Sequence, residues 1–190
     1  KKKINNIDNE TIENLELKAH YFKLEGHIYS NDREWNKAIQ TYDYSLELFS
    51  KKKTKYLNEV LFYKGIIEII IDSQTSNVIQ MINNKLINDS YYILLKIIEI
   101  YFSKNKSNNQ NIDVLIPCID NIKSNKIKAY AFWLLNKCYG KSHKIEEAFK
   151  YETKAQEYIK LSSMDIADVY QREQFINNLY LHKIIMTETS

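Results

Sequence analysis

Glycine, proline, arginine and long apolar runs are all scarce in this 190-residue chain, and each scarcity excludes something. Three Gly and one Pro cannot punctuate the many tight turns of a sandwich or barrel, so long helices joined by short polar connections are expected. The two cysteines, Cys118 and Cys138, stand apart inside apolar helical runs and form no CxxC pair. They read as buried free thiols of a reducing compartment, which predicts a cytoplasmic location without structural disulfides. Gly65 to Ile71 is the richest apolar run and is too short to cross a bilayer, so no membrane contact is expected. Residues 1–9 form a basic, Asn-rich segment with no apolar stretch behind it that would make a signal peptide. The chain opens at Lys1 rather than Met, and further sequence upstream is expected.

What is present suits one helical domain over residues 1–190. With 44% apolar and 27% charged residues, the chain buries a core without needing disulfides or metal. The formal charge of +3 rests on lysine, because only Arg33 and Arg172 are arginines among 27 basic residues. Surfaces that read phosphate usually employ the planar guanidinium fork, so the lysines read as solvated helix faces. Nucleic acid is therefore not the expected partner.

Apolar periodicity predicts nine helices: 10–30, 33–49, 56–71, 77–87, 91–104, 112–122, 126–139, 144–161 and 165–185. Asp32 is the expected N-cap of the second, and Ser162 with Asp165 resembles a capping box opening the last. Pro117 is tolerable if its helix begins near Val114, which places the proline in the first turn. The polar stretch 104–111 is the expected loop before it.

Phe22, Glu25, Gly26, Tyr29, Ala38 and Tyr42 form a spaced set. A residue without a side chain at 26 and a small one at 38 let two helices cross closely. This set resembles the signature of the tetratricopeptide repeat. Phe132, Leu135, Asn136, Tyr139 and Ala148 repeat the spacing, while Gly65 and Lys96 stand at matching places in Lys64–Ile69 and Leu95–Ile100. The resemblance covers about Leu15 to Leu161 and implies an α-solenoid of about four helical hairpins closed by a C-terminal capping helix. Departures are Glu25 for an apolar residue, Glu152 for an aromatic one and Ser50 for the closing proline.

No GxSxG, P-loop or GxGxxG string occurs, and neither catalysis nor a cofactor is expected. His20 and His27, with Glu13 and Glu16 nearby, do not amount to a metal set. In the tetratricopeptide family the first helix of each hairpin lines a concave groove. The resemblance carries that role onto Lys23, His27, Phe62, Ile66, Ile97, Tyr130, Trp133 and Lys137, an apolar channel with cationic ends. The same residues would lie in the core if the register were shifted by two. The expected function is binding of a peptide or partner protein, similar to the sensor domains of peptide-responsive bacterial regulators. A helical repeat that binds nucleic acid is the alternative. The aromatic stripe of 165–185 adds a cap or a homodimer contact as expectations.

Overall fold

The computed structural model describes residues 15–52, 56–73, 77–82, 90–103 and 109–187. Every regular element among them is a helix: α1 (Leu15–Asn31), α2 (Trp35–Lys52), α3 (Leu57–Ile70), α4 (Asn77–Ile82), α5 (Ser90–Phe102), α6 (Asn109–Asp120), α7 (Asn125–Lys141), α8 (Ile145–Ser163), α9 (Val169–Asn177) and α10 (Tyr180–Thr187). The helices divide between two compact units, residues 1–72 and 73–190. Parts of the expected first, fourth and fifth helices, most of the 104–111 loop and the 1–9 segment lie outside the described residues.

In the first unit, α1 and α2 form a hairpin whose joint satisfies the end of one helix and the start of the next together. Arg33 N–H donates to Ser30 O at 3.1 Å and Glu34 N–H to Tyr29 O at 2.9 Å. This is the paired closure of a helix by a left-handed residue, and Arg33 has φ 59°. Ala38 N–H then returns to Glu34 O, so Glu34 opens α2. Asp32 is thus not the N-cap of α2; its N–H still bonds Ile28 O at the end of α1, and α2 opens two residues later than expected, at Glu34.

The second unit contains the same joint 110 residues later. His143 N–H reaches Gly140 O and Lys144 N–H reaches Tyr139 O, both at 3.0 Å, with His143 at φ 58° and Ala148 N–H on Lys144 O. The helix crossing repeats as well: Ala38 and Ala148 are both closed off from solvent. Opposite them the solutions differ. Gly26 lies so close to Tyr42 that a Cβ at this position would meet the ring at 2.5 Å. Asn136 instead donates from Nδ2 to Ala148 O at 3.1 Å.

Four further sequence expectations change. The segment 165–185 is two helices, since α9 ends at Asn177 and α10 starts at Tyr180. Asp168, not Ser162 or Asp165, opens α9, accepting from Gln171 N–H at 2.7 Å. Helix α6 begins at Asn109, which puts Pro117 in its interior, where the missing N–H removes one intrahelical hydrogen bond. Cys118, one residue on, is exposed; only Cys138 is buried.

Gly26→Ala is expected to cost about 2 kcal/mol, because the Tyr42 ring is buried and cannot yield. Gly140→Ala meets nothing within 4 Å and is expected to stabilise by about 0.5 kcal/mol. Arg33→Gly and His143→Gly relieve a left-handed side chain and should each gain about 1 kcal/mol. Urea unfolding of the four variants checks these values, and a neutral Gly26→Ala would refute the close crossing.

Candidate ligand-binding site

The chemistry of the first unit gathers where α1 meets α2 and α3. His27 Nδ1 lies 2.8 Å from the Tyr42 hydroxyl, which lies 3.3 Å from Ser30 Oγ; Ser30 in turn donates to Gly26 O at 2.7 Å. One order of protons satisfies all three contacts: His27 Nδ1–H donates to Tyr42, Tyr42 to Ser30, and Ser30 to the carbonyl. Burial, ahead of any charge, pushes the Tyr42 hydroxyl well above the ordinary phenol range. The Tyr63 ring meets His27 edge-on at 4.4 Å.

One turn earlier on α1, Lys23 pairs with Glu59 of α3 at 2.9 Å, with side chains only 12% and 22% exposed. His20 packs edge-on against Phe49 and Tyr56, and burial followed by the Lys23 charge lowers its pKa. The face of α1 assigned to ligand is therefore engaged with α2 and α3. Lys64 of α3 is also drawn inward, bonded to Asp43 at 2.5 Å.

Of the eight sequence-predicted groove residues, five have almost no surface: Phe62, Ile66 and Ile97 at 0%, Tyr130 and Trp133 at 3%. The reason is visible in α3, where twelve of fourteen residues are buried, and in the run Ala129–Asn136 of α7, buried without a break. A helix covered on every side has no groove-facing stripe. Lys23, His27 and Lys137 keep partial access to solvent. The Lys137 ammonium lies 5.4 Å from the centre of the Trp133 ring, so the buried indole supports a partly exposed cation.

A second polar cluster, unforeseen from sequence, ties the C-terminal helices to α7. His182 Nδ1 lies 2.8 Å from Phe175 O and Nε2 lies 2.8 Å from the Tyr130 hydroxyl. A carbonyl only accepts, so Nδ1 carries the proton and Nε2 accepts from Tyr130. This neutral imidazole is fully used. Burial, reinforced by the Lys126 charge against the opposing Phe175 bond, lowers its pKa to about 4. Cys138 is likewise a packing group, its thiol pushed up to about 12 by burial and therefore not ionised at neutral pH. Among the described residues no group of His, Cys, Asp and Glu could hold a metal ion, and no helix is long and apolar enough to cross a membrane.

The His182 cluster makes stability sensitive to acid. The unfolded chain takes up a proton as pH falls through 6.5, whereas the folded imidazole does so only near 4. Stability that is full above pH 6.5 is thus lost progressively towards pH 4, by about 3 kcal/mol from this group. Denaturant titrations across that window should show the loss, and His182→Gln should flatten it. An unchanged slope in the variant would assign the effect elsewhere.

No family model matches the chain, and no match is found among curated proteins or solved structures.

Proposed function

We propose that the chain is a helical-repeat scaffold that binds a peptide or a partner protein, serving as the sensor part of a larger regulator. The observation that carries this reading is the recurrence of one hairpin, α1–α2 and α7–α8, with the same joint and the same small-residue crossing 110 residues apart. Repeated hairpins present rows of side chains on rigid supports, an arrangement suited to extended ligands. The polar groups gathered in each unit point at one another rather than at a reacting centre, which favours binding over catalysis.

Lys137 is the residue proposed to receive an acidic group of the ligand in the second unit, held above Trp133 at the solvent boundary. Lys23 and His27 are the corresponding contacts in the first unit, with Glu59 already sharing the Lys23 charge. The buried Trp133 ring supports the Lys137 contact, while Phe62, Ile66, Ile97 and Tyr130 are buried within their own units. Helix α9, which buries none of its residues and exposes Val169 and Tyr170, adds apolar surface for a protein partner.

Selection from a random-peptide display library against the immobilised chain tests the reading. Enriched peptides should combine apolar residues with an acidic group, and Lys137→Ala should weaken their binding about tenfold with helicity unchanged. Absence of enrichment, together with oligonucleotide binding that falls steeply with salt, would support the nucleic-acid reading instead.

A further inference from the structure

Helix α1 carries an apolar stripe on the side opposite its buried face. Ala19, Gly26 and Ser30 face the hairpin partner and are buried. Leu17, Tyr21, Leu24 and Ile28 follow at steps of four, three and four, which aligns them along the outward side. Leu17 is 59% exposed, Leu24 56% and Ile28 41%, and Tyr21 is half-buried. An outward helix face is ordinarily polar, so three large exposed aliphatics in a heptad seam call for a cover.

The second hairpin shows what this stripe does when covered. Moving by the same 110 residues places Ile127, Ala131, Leu134 and Cys138 on the equivalent line of α7. There Ala131 and Leu134 have no exposed surface and Cys138 is 4% exposed. Helix α5 lies over the C-terminal part of this line, with Cys138 Sγ 3.8 Å from Ile97 O and Lys141 Nζ 2.9 Å from Tyr101 O. The line is thus a helix-packing surface in this fold, and α1 presents it larger and open.

The charges beside the stripe indicate which helix fits. Lys18 and Glu25 flank it on one side, seven residues apart, and both are half-buried. If two α1 helices run antiparallel about a two-fold axis near residues 22 and 23, Tyr21 meets the partner's Leu24 and Leu17 meets the partner's Ile28. Lys18 then stands beside the partner's Glu25, and symmetry repeats the pair. Tyr29, one turn on along α1, stands beside the Glu25 carboxylate. A parallel pairing would place the two copies of Lys18, and the two of Glu25, on opposite edges of the seam and form no Lys18–Glu25 pair. We propose that a second copy of this chain docks on the Leu17–Tyr21–Leu24–Ile28 stripe of α1, antiparallel, forming a homodimer with reciprocal Lys18–Glu25 pairs. This surface is distinct from the proposed contacts at Lys23, His27 and Lys137, and its function does not depend on them.

Sedimentation equilibrium of the 190-residue chain over low to high micromolar concentration tests the proposal. The chain should self-associate to a dimer, and Leu24→Glu should be monomeric with unchanged circular dichroism, since Leu24 is exposed and not needed for folding. Lys18→Glu should weaken the dimer about tenfold, and Lys18→Glu combined with Glu25→Lys should restore it. A monomer at every concentration overturns the proposal. So does a dimer that survives Leu24→Glu, which would move the interface to α9 and α10, and so does a charge exchange that fails to restore association. Peptide binding should be unaffected by Leu24→Glu, so failure of either idea is read separately.

Discussion

The close approach of Gly26 to the Tyr42 ring sets the geometry of the hairpin around it. With no Cβ on α1, the ring of α2 lies directly against the helix backbone, and its hydroxyl reaches both His27 and Ser30. That position aligns Ala19 with Ser45, whose hydroxyl donates to Ala19 O at 2.8 Å. The crossing also directs His27 towards Tyr63 and Lys23 towards Glu59, which brings α3 onto the hairpin. One missing side chain thus fixes the distance, the register and the polar partners of three helices.

The second unit reaches the same hairpin by different chemistry. Asn136 occupies the position of Gly26, and an amide bonded to a backbone carbonyl takes the place of the ring contact. The aromatic weight moves along the interface, where Phe132 and Tyr139 stack on Tyr151 at 5.9 and 5.3 Å. Tyr139 also donates to Asp113, linking α7 to α6. Two sequences that share Phe, Tyr and Ala at matching positions but differ at Gly26 and Asn136 have the same joint, in which a left-handed residue closes one helix and its neighbour opens the next.

Features set by local chemistry were legible in the sequence. Gly26 with Ala38 marked the close crossing, the Lys144 boundary was found to within one residue, and helix was the right element throughout the described chain. Features set by tertiary burial were not. Ile66 and Ile97 have the same apolar character in a groove or a core, and only the covering of α3 and α5 on further sides distinguishes them. The stripe from Ile166 to Tyr180 looked continuous because periodicity does not register a two-residue break. Asn177–Asn178 was the available signal, and His182 the reason the second piece turns inward. Pro117 misled because α6 starts well before it, at Asn109, and continues through the proline to Asp120. Likewise the outward stripe of α1 was present in the spacing, but its openness emerged only beside its buried counterpart on α7.

The most direct measurement of the central constraint is a double-mutant cycle at residues 26 and 42, read by equilibrium unfolding. If the approach of Gly26 to the Tyr42 ring dictates the hairpin, Gly26→Ala should lose most of its cost in a Tyr42→Leu background, because the ring it would strike is gone. Additive losses at the two positions would contradict the account, since each residue would then act through some other contact.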